Sequence, residues 1–322
     1  MRAIILLLLA TLFVASLWSD NVYDSTMLRQ AQNNDAAAQY NLAMCYESGL
    51  GVAKDKREAI KWLRLSAERR YPRAQYNLGL CYYHGDGVTQ DYDAALQWFT
   101  LAANQGLPEA QYSLGLCYAM GQGVSQDCDA ALRWFRRASD QGFSKAQYCL
   151  ACCYYFGEGT APDAGEAVKW YQRSAQSGYA KAQFSLGCCY QFGEGTKTDP
   201  AAALHWYQEA AQQGHPGAQF NLATMYYNGD ALPRDTRQAL TWYLAAAEQG
   251  FADAQFVLGN CYYSGTGTEK DDFEAFFWWK LAAANGHETA LYAFDRIQQE
   301  LNPEQLEQLQ AKTNSWLAAH PK

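Results

Sequence analysis

Alanine recurs every 36 residues along this chain of 322 residues, from Ala38 to Ala290 without a gap. Three other residue types keep the same spacing: tyrosine from Tyr46 to Tyr262, aspartate from Asp55 to Asp271 and tryptophan from Trp62 to Trp278. A fixed period of this length is typical of solenoids, in which each repeat packs only on its neighbours. We therefore expect function to lie on a surface that the repeats share.

Each repeat begins with a predicted helix, the A helix, which residues 74–109 illustrate. Ala74, Leu78 and Tyr82 recur at helical spacing and mark its buried face. A glycine turn, Gly85 to Gly87, ends it, because glycine accepts the left-handed backbone that closes a helix. Such a glycine pair also suggests a phosphate-binding loop, but that motif follows a strand, and here a helix precedes it.

The second predicted helix of each repeat, the B helix, begins at an aspartate. Asp91 stands four residues before Ala95, as expected for an N-cap carboxylate. Ala95, Trp98 and Ala102 then form an apolar stripe, and we expect the tryptophans to be the main interior anchors of the repeats. Ligand stacking is the alternative role for them.

Short turns between these helices predict an all-α fold, a right-handed α-solenoid of helix-turn-helix repeats of tetratricopeptide type. Seven full repeats span residues 38–289, between an N-terminal capping helix (residues 20–37) and a partial repeat with a C-terminal capping helix (residues 290–322). In the first cap, Asn34 occupies the position of the glycine that ends each B helix. In the last, Asn302 and Pro303 mark a helix start.

Residues 1–19 resemble a secretory signal peptide. Arg2 precedes an apolar run from Ile4 to Val14, which is too short to cross a bilayer core of about 30 Å. We expect an exported protein, in the periplasm or secreted, without an integral membrane segment after cleavage. A signal-anchored protein, or one in the lumen of the endoplasmic reticulum if the source is eukaryotic, is the alternative. The net charge of −8 disfavours nucleic acid and favours protein or peptide partners.

Six of the ten cysteines share one repeat position, at which the remaining repeat has Met225. A position that accepts methionine calls for a modest apolar side chain, so we expect buried thiols rather than disulfides. The other four are irregular, and Cys149 with Cys153, four residues apart on one helix, is the local pair to check for a disulfide. The six recurring residues are Cys45, Cys81, Cys117, Cys153, Cys189 and Cys261.

The repeat resembles the Sel-one-like repeat family, a relative of tetratricopeptide repeats. The matching residues of the second repeat are Ala74, Leu78, Gly79, Tyr82, Gly85, Gly87, Val88, Asp91, Ala95, Trp98, Ala102, Ala103 and Gly106. The resemblance implies an adaptor that assembles protein complexes. One branch of the family carries a disulfide in each repeat and is credited with weak β-lactam binding or hydrolysis, which implies an alternative function as a cell-wall or β-lactam-interacting enzyme. The positions of those cysteines hold Ala103 and Ala110 here.

The sequence offers no constellation for catalysis. Its five histidines are scattered, and the pair Cys81 and His84 supplies too few ligands for a metal. We therefore expect no enzymatic activity, no catalytic residue, no metal and no cofactor.

Candidate binding residues come from repeat positions whose residue type varies. At the end of the A helix, two adjacent positions change from repeat to repeat and often hold aromatic residues or methionine, which are typical interface anchors. The resemblance places the A helices on the concave side, so these positions are expected to line a protein-binding groove. Random surface variation is the alternative. The candidates are Tyr83, His84, Met120, Tyr155, Phe156, Gln191, Phe192, Tyr227 and Tyr263.

Overall fold

The computed structural model describes residues 24–298 and 301–320, with side chains to residue 295 and from residue 301. The described residues form 17 helices and no strand. The chain divides into two compact units, Met1–Pro162 and Asp163–Lys322. The predicted all-α solenoid of repeated helix pairs is thus confirmed, whereas the predicted signal peptide, residues 1–19, lies outside the described residues.

The helices of the first unit alternate between A and B type after a short first helix. They are α1 Ser25–Gln32, α2 Ala36–Ser48, α3 Lys56–Glu68, α4 Pro72–His84, α5 Tyr92–Asn104, α6 Pro108–Met120, α7 Cys128–Asp140 and α8 Ser144–Phe156. The even-numbered helices are A helices. Each of α2, α4 and α6 packs most closely on the B helix that follows it.

The second unit begins with a B helix and continues the alternation. Its helices are α9 Ala164–Gln176, α10 Ala180–Phe192, α11 Pro200–Gln212, α12 Pro216–Asn228, α13 Thr236–Glu248, α14 Ala252–Ser264, α15 Asp272–Ala284, α16 Glu288–Gln298 and α17 Pro303–Ala319. Helix α17 packs against α15, and its Leu309 is fully buried. Among the described residues, no helix is both long and apolar enough to cross a membrane.

The recurring aspartates cap the B helices as predicted. The Asp91 carboxylate accepts a hydrogen bond from the backbone N–H of Ala94 at 2.9 Å, at the start of α5. The same arrangement recurs in every repeat, and it satisfies a backbone donor that the helix itself leaves free. The caps are Asp55, Asp91, Asp127, Asp163, Asp199, Asp235 and Asp271.

The two glycines that follow most A helices have different roles. Gly85 takes φ +70°, and its N–H bonds the carbonyl of Cys81. The second glycine lies against the preceding B helix: a Cβ on Gly123 would lie 2.4 Å from the carbonyl oxygen of Tyr92. The sixth repeat departs from this pattern, with Ala231 held at φ +61°.

The main interior anchor of a repeat is the residue after its tryptophan. In the second repeat, Phe99 is 1% exposed and Trp98 is only half-buried. A Cβ on Gly79 of the paired A helix would lie 2.7 Å from the Phe99 ring, so the ring occupies the space that the missing side chain leaves. The equivalent residues are Leu63, Phe99, Phe135, Tyr171, Tyr207, Tyr243 and Trp279, all buried.

The prediction that the tryptophans are the main anchors was wrong for five of the seven repeats, where they are half-buried. Trp98 packs on a core cluster that joins the B helix of the preceding repeat, with Leu63, to the A helix of its own repeat, with Leu78. Trp134 packs in the same way on the next such cluster, which includes Phe99. Their indoles therefore cover the seam between neighbouring repeats. Of the seven recurring tryptophans, only Trp170 and Trp278 are buried.

A buried glutamine follows the first alanine of each A helix and joins it to the preceding B helix. The Gln75 amide donates to the carbonyl of Ala67 at 3.1 Å, in the last turn of α3, and accepts from the Gln105 amide at 2.7 Å. Hydrophobic periodicity does not reveal this contact, because glutamine is polar, although the residue recurs at the 36-residue spacing. The series is Gln39, Gln75, Gln111, Gln147, Gln183, Gln219 and Gln255.

Candidate functional site

All nine candidate residues lie at the ends of A helices, just before the capping glycine. We call the last two residues of each A helix the A-helix tip. The tips of the first unit end at Ser48, His84, Met120 and Phe156, and those of the second at Phe192, Asn228 and Ser264. The carboxyl end of a helix carries partial negative charge from its free carbonyl groups, so every tip favours cationic groups nearby.

The inner position of the tip is partly buried in most repeats, and in the second and fifth repeats it contacts rings of the B helix. The Tyr83 ring lies 5.2 Å from that of Tyr92 and 6.3 Å from that of Phe99, and its hydroxyl donates to Gln122 at 2.6 Å. In the second unit, Gln191 accepts a hydrogen bond from the Tyr207 hydroxyl at 2.6 Å. These two candidates therefore have packing roles within the fold.

Tyr155, Tyr227 and Tyr263 are the other candidates at the inner position. The Tyr155 ring packs edge-on against Phe156, with centroids 4.9 Å apart. Arg234 lies over the Tyr227 ring at 5.4 Å, and Lys270 over the Tyr263 ring at 5.3 Å. Tyr263 is 45% exposed, whereas Tyr155 and Tyr227 are half-buried.

The outer position of the tip faces solvent in every repeat. Phe156 is 66% exposed and Phe192 65%, with Met120 at 52%. His84 is also exposed, with its ring edge against Tyr83 at 4.9 Å. Each unit therefore presents large apolar side chains to solvent at the same end of its A helices.

The recurring aromatic position two residues after the recurring alanine of the A helix serves packing. The rings of Tyr76 and Phe99 lie 5.7 Å apart, and Phe220 packs on Tyr243 and Phe251 at 5.6 and 5.5 Å. Aromatic pairs at these separations stabilise the interior beyond their buried area. This series is therefore not available to a ligand.

The thiols are poorly suited to nucleophilic chemistry. The six recurring cysteines are buried, as predicted, and none of the ten cysteines, all of which lie among the described residues, forms a disulfide. Burial raises the pKa of Cys117 to about 11 and that of Cys153 to about 12, so the reactive thiolate is scarce at neutral pH. Within residues 24–298 and 301–320, no group of three His, Cys, Asp or Glu side chains is arranged to hold a metal ion.

Comparison with known families identifies the type of repeat. The family model described as Sel1 repeat matches seven contiguous segments, residues 36–71, 72–107, 108–143, 144–179, 180–215, 216–251 and 252–287. The chain belongs to the Sel1 repeat family. Sel1 repeat proteins are generally protein-interaction scaffolds. A search of curated proteins found no match to the chain.

Two solved structures of Sel1 repeat type are similar to this chain over most of its length. A Sel1 repeat protein from Oxalobacter formigenes is 34% identical with a TM-score of 0.71, and the match covers 84% of this chain and 78% of that one. A protective antigen present in uropathogenic Escherichia coli strains, which displays an SLR fold, is 28% identical with a TM-score of 0.56. That match covers 91% of this chain and 78% of the antigen.

Proposed function

We propose that this Sel1 repeat protein is an exported scaffold that binds a protein or peptide partner through its A-helix tips. The observation that carries the proposal is the exposure of Phe156 in the first unit, 66%, and of Phe192 in the second, 65%, at the same repeat position. Large aromatic side chains that water surrounds are costly to keep exposed, and they are common anchors of protein interfaces.

The fold itself does not require these aromatic residues. The same repeat position holds Ser48, His84, Asn228 and Ser264 in other repeats, and each of those helices still ends at its capping glycine. A polar residue therefore serves the fold equally well at this position. Binding is the role that the apolar residues at Met120, Phe156 and Phe192 then fill.

Partner binding can be tested by giving these positions the residues that the chain carries elsewhere. We would place a photo-crosslinking amino acid at position 120 and compare the unchanged background with Phe156→Ser and Phe192→Asn combined. The crosslinked partner should fall by about tenfold or more, as for the loss of interface anchors. An unchanged yield would contradict the proposal.

The matched control lies on a B helix. Leu101 of α5 is an exposed apolar residue, 47% exposed, at a position where other repeats carry Arg137 and Arg173. Leu101→Arg removes a comparable apolar surface away from the tips and should leave the crosslinked yield unchanged. An equal loss with this control would mean that general surface hydrophobicity, not the tips, captures the partner.

Export is supported by the apolar run from Ile4 to Val14 after Arg2. Mass spectrometry of the protein from its native host should find an N-terminus between Leu17 and Asp20, in the periplasmic or secreted fraction. An uncleaved chain in the membrane fraction would instead support the signal-anchored alternative. An uncleaved chain in the cytosol would refute export altogether.

A further inference from the structure

A cavity of about 300 Å³ opens in the first unit between α2, α3 and α4, beside the tip of α2. Its apolar floor includes Met44, Leu63 and Leu80, and its rim includes Glu47 and Lys56. Leu63 is 3% exposed, whereas Glu47 lies at the inner tip position, so the cavity leads from the solvent-exposed tip into the repeat core.

The cavity lies where every later repeat places an aromatic ring. Leu63 occupies the position of the main interior anchor, and it is the only aliphatic residue in that series. The six equivalent rings are at most 4% exposed: Phe99, Phe135, Tyr171, Tyr207, Tyr243 and Trp279. The first repeat therefore lacks the ring that fills this space in the others.

The fifth repeat shows what such a ring contacts. The Tyr207 hydroxyl donates to Gln191 at 2.6 Å and lies 3.4 Å from the Cys188 sulfur, and it also bonds the side chain of Asn221. The residues four repeats earlier are Glu47, Met44 and Asn77, and all three line the cavity. The walls that receive a tyrosine in the fifth repeat are therefore present in the first, without the tyrosine.

The rim carries an excess of negative charge. Lys56 Nζ lies 2.8 Å from the Glu47 carboxylate and 2.5 Å from that of Asp86, so one cation bridges two anions. Asp86 keeps 61% of its side chain exposed. Glu47, at the position of Gln191, offers a hydrogen-bond acceptor for a phenol, and the exposed Asp86 favours a basic group beside it.

We propose that this cavity binds a tyrosine side chain of a partner peptide, flanked by lysine or arginine. The proposal rests on the proposed function, because it names the partner chemistry that the first A-helix tip selects. The phenol ring would take the place of the missing interior ring, with its hydroxyl donating to Glu47. The flanking cation would lie against Asp86.

The test uses the full mature chain with labelled methionine methyl groups. Met44 lines the cavity, and Met225 lies in the core of the second unit and serves as an internal reference. The capped tripeptide Lys-Tyr-Lys should shift the Met44 signal saturably and leave that of Met225 in place. Lys-Ala-Lys and Glu-Tyr-Glu should bind about tenfold more weakly or worse, because each lacks one anchor. An unmoved Met44 signal, or equal affinity of the three peptides, would overturn the proposal.

Two variants define the site. Leu63→Tyr fills the cavity from within and should abolish the Met44 shift; Tyr243 packing beside Ala223 shows that a ring is accommodated next to an alanine such as Ala43. Glu47→Gln keeps the acceptor type that the fifth repeat uses but removes one negative charge, so it should weaken the binding of Lys-Tyr-Lys with little effect on folding. Unchanged binding by both variants would place the peptide elsewhere.

Two further outcomes separate this inference from the proposed function. 4-Methylphenol binding as tightly as the tripeptide would show a site for small phenols and overturn the peptide assignment. Loss of partner crosslinking in the Phe156 and Phe192 variant, with no peptide effect on Met44, would refute only the cavity. A saturable Met44 shift, with crosslinking indifferent to the tip variant, would refute only the proposed use of the exposed tips.

Discussion

The side-chain amide of Gln105 donates to the buried side-chain oxygen of Gln75, with 2.7 Å between nitrogen and oxygen. Gln75 in turn donates to the carbonyl of Ala67 in the preceding B helix. One buried amide thus connects α3, α4 and the residue that caps α5, and it adds a second hydrogen bond to the Ala67 carbonyl, which also accepts from the backbone N–H of Arg70 at 2.9 Å.

Replacement of Gln75 should therefore destabilise the protein more than replacement of Gln105. We expect Gln75→Ala to lower the free energy of unfolding by about 1 to 2 kcal/mol, because the buried hydrogen bonds to the Ala67 carbonyl and from Gln105 are both lost. Gln105→Ala, at the exposed end of the same contact, should cost about 1 kcal/mol or less. Urea denaturation of both variants would check the order, and equal losses would contradict the connecting role of Gln75.

The first repeat lacks the outer member of this amide pair, and this offers a stabilising substitution. Among the described residues, the buried Gln39 oxygen has no hydrogen-bond partner, because the position thirty residues later holds Arg69, whose guanidinium bonds Asn34. Arg69→Gln would supply the missing amide and should raise the free energy of unfolding by about 0.5 to 1.5 kcal/mol. Arg69→Ala, which supplies no donor, should give no gain in the same denaturation experiment.

The sequence sufficed to predict the helices because their ends carry explicit signals. Aspartate at the start of each B helix and glycine at the end of each A helix act locally, through single backbone groups, and both behave as predicted. The buried glutamines escaped prediction because hydrophobic periodicity registers apolar residues only. The 36-residue recurrence of Gln75 was the signal that could have found them.

Helical spacing could not distinguish the true interior anchor from its neighbour. Trp98 and Phe99 follow Ala95 by three and four residues, and both spacings fit the same helical face. The deciding contact is with Gly79 on another helix, where the absence of a side chain admits the Phe99 ring.

For the candidate binding residues, too, the sequence could not show which side chains take part in packing. Variation between repeats selected Tyr83 and Gln191 together with Phe156, but the first two make hydrogen bonds within the fold and only Phe156 faces solvent. Variation in residue type indicates that a position is permissive. It does not reveal whether the side chain at that position already packs against, or bonds to, residues of neighbouring helices.

The turn after the first B helix holds a residue in an unfavourable backbone conformation. Arg70 takes φ +63°, whereas the equivalent Gly106 takes φ +90° and has nothing within 4 Å of an added Cβ. Because space is not limiting, Arg70→Gly should stabilise the protein through the backbone alone, by about 1 kcal/mol. Gly106→Ala should cost about the same. A calorimetric comparison that found both changes neutral would refute this origin of strain.

Burial of the recurring cysteines predicts a two-class reaction with a thiol reagent. The partly exposed Cys128, Cys149, Cys152 and Cys188 should react first in the native protein, and the six recurring thiols only after denaturation, without any reductant. Cys117→Ala should cost roughly 1 to 2 kcal/mol, the loss for shrinking a small buried side chain. Mass spectrometry that found the recurring cysteines paired would contradict the assigned packing.

His215 should make the stability of the protein depend on pH. Its ring stacks on Phe184 with centroids 4.6 Å apart, and its Nδ1 accepts a hydrogen bond from the N–H of Ala218, capping α12. Burial, with a smaller contribution from the charge of Lys181, lowers the pKa of His215 below its ordinary value. Protonation would place a proton on the accepting nitrogen and break the cap.

Because the folded-state pKa of His215 is lowered, the unfolded chain binds the proton more readily. The stabilisation from the neutral ring is complete above the unfolded-state pKa of about 6.5, and it is lost as the pH falls through the folded-state pKa. His215→Asn keeps a cap acceptor that does not titrate, so its unfolding midpoint should fall less than that of the unchanged protein over this range. The control His205→Asn, on the exposed face of α11, should keep the full pH dependence. Parallel pH profiles for His215→Asn and the unchanged protein would show that the capping histidine does not control acid stability.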